Sequence, residues 1–295
     1  MGLIETLKSA GVGTVSGRDA RVEFIVVGPQ DAVAADGARR PAVVRPGSPM
    51  VSCMMVTNGD REVIRHALEC YRRQTYENRE LVVVTHPDGL DRVQALAVQS
   101  GAPNITVHSV GRDMTLGDCR NLAVARSRGD IVMQWDDDDL YDPLRVAVAV
   151  ELLTQSPAAA VMLARVLVWW PQRRLAAISE RRVWEGSIAV WRDHASPYPS
   201  LARGEDTVAV DALTCTRITA TYDAPLLYVY TVHERNTWDT EHFQEIFERA
   251  QILIQGDQYA ELMRLMSVRL PVVEYAADLS PTPQLASPGY VHGPA

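Results

Sequence analysis

Lysine is almost missing: Lys8 is the single Lys in 295 residues, and every other basic residue is Arg. This reads as coding bias rather than chemistry, since the two residues part company only where a bidentate site demands the guanidinium fork. An excess of positive charge is missing too. Lys plus Arg total 29 against 37 Asp plus Glu, a net charge of −8, so nothing global draws the chain to nucleic-acid phosphates or anionic lipid, although a local basic groove stays compatible with this balance. Cysteines are few. Cys53, Cys70, Cys119 and Cys215 lie far apart without CxxC spacing, which argues against a zinc site or a dense disulfide framework and fits a reducing compartment. No long hydrophobic run is present. The longest, Ala158 to Trp170, is interrupted by Arg165 and falls short of the roughly 20 residues needed to cross a bilayer. The start, MGLIETLKSAG, carries an acid and no long apolar segment, so it does not read as a signal peptide, and the cytoplasm is the expected location. With 47% hydrophobic and 22% charged residues, wholesale disorder, collagen and coiled coil are excluded. The length suits one large domain or two modest ones.

Residues 1–48 read as a prefix: a short helix within 1–17, a strand from Arg21 to Val27, then an Ala/Gly/Pro-rich linker without a clear period. The tail 279–295 holds four prolines and is expected to be disordered. Between them, Met50 to Val56 has strand length and character, and Thr57, Asn58, Gly59 and Asp60 break it and offer helix caps. Helical spacing follows over Glu62 to Arg73, then a buried strand over Leu81 to Val84. A helix (Asp91 to Gln99), a strand (Ile105 to Val110), a helix (Thr115 to Arg126) and a strand (Ile131 to Trp135) continue the alternation. This predicts an α/β, doubly wound sheet with ligands at the carboxyl ends of its strands. From Thr240 to Met266 the pattern predicts helix, with Phe243, Ile246, Phe247, Ala250, Leu253 and Ile254 on one face. That face is expected to pack on the catalytic domain, with a homodimer contact as the second reading.

The strand Ile131 to Trp135 runs straight into Asp136, Asp137, Asp138 and Asp139. An isolated run of four Asp is more often a solvated loop. At the carboxyl end of a central strand the acids would instead crowd into the ligand crevice, where a hard, oxygen-liganded cation such as Mg²⁺ or Mn²⁺ relieves their repulsion. Glu205 and Asp206 precede a short helical pattern, Thr207 to Leu213, where acids ordinarily just stabilise the helix dipole.

Four segments, taken together, resemble the inverting family 2 glycosyltransferases of GT-A fold. PMVSCMMVTNGDREVIRHALECYRRQTYENRELVVVT is similar to the family's opening strand, helix and second strand; LGDCRNLAVARSRGDIVMQWDDDDLYDP is similar to its G-x-x-R-N, A-x-G-D and L-D-x-D-D block; RGEDTVAVDAL resembles its E-D block and TVHERNTW a late His segment. They appear in family order from Pro49 to about Phe243. The resemblance implies a GT-A, Rossmann-like mixed sheet flanked by helices over residues 49–243, with a C-terminal helical extension over 244–278. It implies transfer of a hexose from a nucleotide diphosphate sugar, UDP-sugar favoured, to an acceptor hydroxyl.

Carried over by position, Thr57 lies on the loop that touches the nucleobase. Arg120 approaches the nucleotide, and Asn121 braces its loop. Asp136 is near the ribose, with Asp137 in the same nucleotide-sugar site. Asp138 holds the divalent cation, Mn²⁺ or Mg²⁺, and His233 resembles the late metal ligand. Asp206 matches the acid that takes the acceptor proton, with Glu205 orienting the acceptor or the loop. The chain departs from the family where D-D-G-S is usual and Thr85, His86, Pro87, Asp88 and Gly89 stand instead. Thr85 hydrogen-bonding a base edge, Asp88 reaching back to it and a plain Pro-Asp-Gly turn remain three open readings. Of the tryptophans, which are more often core, Trp238 is the candidate sugar platform because it sits beside His233. His66 and His108 read as structural or exposed. The competing classes are a retaining GT-A transferase, a metal-dependent phosphoryl-transfer enzyme and a nucleotide-sugar-binding module without turnover. The acceptor stays open among protein, glycan, small molecule, lipid and modified nucleobase, with the acidic balance and the lack of a membrane-length apolar run weighing against nucleic acid and lipid.

Overall fold

The computed structural model describes residues 2–9, 25–27, 45, 47–59 and 63–279. Eight strands form the main sheet in the order Ile25–Val27, Thr219–Tyr222, Ala160–Leu163, Trp184–Trp191, Ile131–Gln134, Val51–Thr57, Arg79–Thr85, Ile105–Ser109. The last four are mutually parallel, Trp184–Trp191 runs antiparallel to both of its neighbours, and Ala160–Leu163 pairs in parallel with Thr219–Tyr222. The sheet is therefore mixed.

Strand character follows from burial on two faces. Side chains alternate along a strand, so Cys53, Met55, Leu81, Val83, Ile131 and Met133 enter one apolar core while Met54, Val82, Val84 and Val132 enter the other. With helices on both faces the central strands read as continuous apolar runs. Leu116–Arg126 covers the second face through Cys119 and Ala123. Its start is fixed by a capping box in which Thr115 Oγ1 accepts from the Asp118 N–H at 3.2 Å and Asp118 Oδ2 accepts from the Thr115 N–H at 3.0 Å. Gly117 lets the chain approach closely there, since a Cβ would lie 1.8 Å from the Pro199 carbonyl oxygen.

Val51–Thr57 lies between Arg79–Thr85 and Ile131–Gln134, so its successive crossovers leave in opposite directions and open a crevice at the carboxyl ends. Beside it a five-stranded sheet, ordered Ile252–Ile254, Leu175–Ile178, Leu167–Trp170, Tyr228–Thr231, Leu140–Tyr141, packs by aromatic stacking. Trp135 and Tyr141 have centroids 4.0 Å apart, and Tyr141 and Tyr228 5.1 Å apart. Cys53, Cys70 and Cys119 are free and buried, and burial pushes the Cys53 and Cys70 thiols up to about 12.

The helix expected over Thr240 to Met266 is instead Thr240–Glu248, the strand Ile252–Ile254 and the helix Gly256–Ser267. Two β-branched Ile side chains point inward while Leu253 between them is exposed, which is strand alternation, and Ile252–Ile254 completes the second sheet against Leu175–Ile178. Of the apolar face expected there, Phe243 and Ile254 join the main core and Ile246 and Phe247 pack against it, while Leu253 stays exposed. Tyr259, Leu262, Met266 and Tyr275 join the main core, and so do Leu3 and Leu7 of Leu3–Ser9. The expected prefix and extension contribute to that one core. The strand expected from Arg21 is seen as Ile25–Val27; the linker before Arg45 and the tail beyond Leu279 lie outside the described residues. Among the described residues no helix is long and apolar enough to cross a membrane.

Candidate functional site

A cavity of about 490 Å³ opens at the carboxyl ends of Val51–Thr57 and Ile131–Gln134. Thr57, Arg120, Asp136, Asp137, Asp138, Glu205, Asp206 and Trp238 all line it. Register explains the first part: Met54 pairs with Gln134, so Thr57 and the acidic loop emerge side by side at the same sheet edge.

Two expected residues are placed elsewhere. Thr85 is buried and does not line the cavity, because the Asn58–Gly59 turn packs backbone to backbone on Gly89 above it; a Cβ on Gly59 would lie 2.6 Å from Gly89 Cα, and one on Gly89 2.8 Å from Thr85 Oγ1. Asp88 points outward and forms an exposed ion pair with Arg112. His86 lines the cavity instead, its Nδ1 3.2 Å from the Gly111 carbonyl oxygen. Its position between Thr85 and Asp88 was the available signal.

Arg120 organises the floor. Its Nε donates to Glu205 Oε1 at 2.6 Å and its Nη2 to Asp136 Oδ1 at 3.0 Å, while Nη1 is buried without a hydrogen-bond partner. Burial opposes the charge, yet Asp136 and Glu205 hold the Arg120 pKa well above the usual value. Burial raises the Glu205 pKa, with Arg120 opposing. Burial likewise raises that of Asp136 against Arg120, and the Asp138 charge adds to the rise. Adjacent in sequence, Glu205 and Asp206 differ completely. Glu205 is 1% exposed and committed to Arg120, whereas Asp206 is half-buried, faces the cavity and accepts from the Thr207 N–H at 2.9 Å. The left-handed Gly204 (φ +73°) turns the chain between the Arg203 loop and this helix.

Within the acidic run the roles also separate. Asp139 is a structural bolt: Tyr228 Oη donates to it at 2.6 Å and the Thr231 N–H at 2.8 Å. Burial, then Asp138 and Asp136, raise its pKa well above the usual carboxylate range. Asp138 Oδ2 lies 3.3 Å from His233 Nε2 and accepts from Asn236 Nδ2 at 3.3 Å; its carbonyl accepts from the Tyr275 hydroxyl. Among the described residues no group of three or more His, Cys, Asp or Glu forms a metal site. Two donors 3.3 Å apart nevertheless fit one divalent cation, whose neighbouring ligands at about 2.1 Å sit about 3 Å from each other, with phosphate oxygens and water completing the shell. His233 Nδ1 accepts from the Arg235 N–H at 3.1 Å. Ligation through Nε2 would place the ring proton on Nδ1 and so require the Arg235 bond to break.

The remaining wall was not singled out by sequence. Arg182, Trp184, Glu185 and Gly186 line it, with Arg182 4.0 Å over the Trp184 ring and 3.3 Å from Glu185 Oε2. Trp184 belongs to an aromatic cluster visible in sequence; Arg182 and Glu185 carry no local signal. A Cβ on Gly186 would come 3.3 Å from Gln134 Nε2 and into ordinary van der Waals contact with Asp136 Oδ2 at 3.5 Å, which places this glycine against the acidic loop. Trp238 is 36% exposed, stacks on His242 at 4.5 Å and lies under the Arg203 guanidinium at 4.6 Å.

Comparison with known proteins agrees with the fold. The family model described as Glycosyl transferase family 2 matches residues 52–195. An Escherichia coli (strain K12) protein named as a colanic acid biosynthesis glycosyl transferase, WcaA, is 28% identical over 104 residues, 34% of this chain and 37% of that one. The chain thus matches little more than a third of that relative's length. The mannosyltransferase PcManGT from Pyrobaculum calidifontis, in complex with GDP-Man and Mn²⁺, superposes with a TM-score of 0.52 at 19% identity, covering 67% of this chain and 62% of that one. S. aureus TarS in complex with UDP-GlcNAc gives 0.52 at 16% identity, covering 67% and 64%.

Proposed function

We propose, from the premise that residues 52–195 form a glycosyl transferase family 2 domain in the GT-A fold, that this protein moves a hexose from a nucleotide diphosphate sugar to an acceptor hydroxyl, with inversion at the anomeric carbon. The observation that carries the reading is the division of labour between neighbours. Glu205 is consumed by Arg120, leaving Asp206 as a carboxylate that lines the same cavity as Asp136 and Asp138. Such a group can take the proton of the acceptor hydroxyl as its oxygen bonds to the anomeric carbon. The bond from that carbon to the diphosphate oxygen breaks, and the nucleoside diphosphate leaves with the electron pair. Thr57 and His86 border the nucleobase end, Asp136 meets the ribose and Arg120 fixes Asp136 in place. A divalent cation, Mn²⁺ or Mg²⁺, held through Asp138 with His233 assisting, would supply charge relief to the departing diphosphate.

A UDP-sugar is the favoured donor, and the cytoplasm the favoured location, where the free thiols stay reduced. The test is thermal stabilisation by a panel of UDP- and GDP-sugars with Mn²⁺, since a bound donor raises the melting temperature by mass action. One nucleotide sugar should stabilise the chain and the rest should not; if none does, the donor assignment fails. Proton NMR of the product should show the anomeric configuration opposite to the donor's. Retention would overturn the inverting step.

A further inference from the structure

A second cavity, of about 530 Å³, adjoins the first and shares Arg203, Asn236, Thr237 and Trp238 with it. Two of its walls have the same construction. The Arg173 guanidinium lies 3.7 Å over the Trp170 ring, and the Arg203 guanidinium 4.6 Å over the Trp238 ring. Among the described residues neither has a carboxylate within ion-pair distance. Stacking on an indole holds the guanidinium plane and leaves its N–H edges free, a geometry that suits a carboxylate or a phosphate. Holding both side chains in this way also lowers the ordering cost of binding.

Two acids line the same cavity, Glu234 and Asp239. Asp239 is used within the fold, accepting from the His242 N–H at 3.0 Å as the cap of Thr240–Glu248, and the positive end of that helix dipole offsets its charge. Glu234 is exposed.

The cavity also stands in the right place for an acceptor. His233 lines it while its Nε2 lies 3.3 Å from Asp138 of the donor cavity. Arg203 precedes Asp206 by three residues across the Gly204 turn, so a molecule anchored on Arg203 brings its hydroxyls toward the half-buried carboxylate. We infer that the second cavity seats the acceptor, and that the acceptor is a hydroxylated molecule bearing a carboxylate or a phosphate. This rests on the transferase reading above.

Calorimetric titration of the full chain, saturated with uridine diphosphate and Mn²⁺, tests it with three probes: glucuronic acid, glucose 6-phosphate and glucose. At least one anion should bind about tenfold or more tightly than glucose, and the tighter of the two anions identifies the group. Arg173→Gln and Arg203→Gln should each lose about tenfold in anion affinity with glucose unaffected, and Arg173→Lys should restore only part, because it returns the charge without the fork. Glucose binding as tightly as both anions overturns the inference, as does undiminished anion affinity in both Gln variants. Weaker uridine diphosphate binding in Arg173→Gln with anion affinity intact would also overturn it, assigning the cation to the donor. Uridine diphosphate and Mn²⁺ binding to the unaltered chain is measured first. Its absence counts against the transferase reading alone, and the anion series is then run on the chain by itself.

Discussion

The sheet that floors the donor cavity and the acidic loop that crosses it are held by different forces. Val51–Thr57 and Ile131–Gln134 are packed by apolar neighbours on both faces, so many weak contacts share the task of placing them. The loop from Asp136 to Asp139 hangs on a few polar bonds: Arg120 and Gln134 to Asp136, Tyr275 to the Asp138 carbonyl, and Tyr228 and Thr231 to Asp139. The contrast teaches that stability and activity are separable here. Apolar changes in the floor should lower stability, whereas single polar changes at the loop should move a functional group within an intact fold.

Arg120 belongs to both regions and breaks the comparison most severely. Arg120→Met leaves Glu205 buried without its partner and Asp136 without its main donor. Removing one member of a buried ion pair costs about 3–5 kcal/mol, so urea unfolding should show a loss of that size together with loss of donor binding. A variant of unchanged stability would mean the network is not structural.

Asp206→Asn comes next and should affect function alone. As the proton acceptor it should cut turnover by roughly 10² or more with donor affinity and melting temperature nearly unchanged. Asp138→Asn should weaken donor binding as well as turnover. Full activity in Asp206→Asn would leave the fold assignment standing and remove the mechanism.

The same division explains what sequence could and could not reveal. Apolar periodicity placed the Val51–Thr57, Arg79–Thr85, Ile105–Ser109 and Ile131–Gln134 strands and their helices within a few residues, because burial writes directly into side-chain pattern. Ordered motifs brought Thr57, Arg120, Asp136, Asp138, Glu205 and Asp206 to one cavity. Thr85 and Asp88 lie off the cavity, the first beneath the contact of Gly59 with Gly89 and the second in an exposed pair with Arg112, and a contact joining residues thirty apart leaves no local pattern to read. Ile252–Ile254 was read as helix because its edge pairing with Leu175–Ile178 is invisible locally. Arg182, Glu185 and Tyr275 reach the site only through tertiary packing.

Tyr275 sharpens the comparison from a distance of more than a hundred residues. Its ring is buried against His66 and Trp169, and its hydroxyl donates to the Asp138 carbonyl. Tyr275→Phe keeps the packing and removes that bond from the half-buried Asp138, at a cost of about 1 kcal/mol. The loop should loosen where the cation is held, so the Mn²⁺ concentration for half-maximal activity and the donor KM should rise several-fold while kcat falls less. An equal stability loss with no change in metal dependence would make Tyr275 a packing residue only.

The smallest effect tests the electrostatics of the cavity wall. Burial raises the Glu185 pKa above its ordinary value of 4.5, with Arg182 opposing and Asp206 adding to the rise. A carboxyl whose pKa is higher folded than unfolded contributes stability at pH below its unfolded pKa, and that contribution is lost as pH rises through the folded value. Glu185→Gln is neutral throughout and does not lose it. The variant should therefore gain on the parent as pH rises from 4 to 8, by no more than about 1 kcal/mol for one substitution at a partly open wall. The lost contact to Arg182, whose side chain is 40% exposed, is worth little at such a surface and cannot reverse the trend. Urea unfolding of both proteins across that range, without divalent cation, measures it. A stability difference that stays flat or shrinks with pH would show that Glu185 is as well solvated folded as unfolded, and that the wall facing Asp206 is wetter than its packing implies.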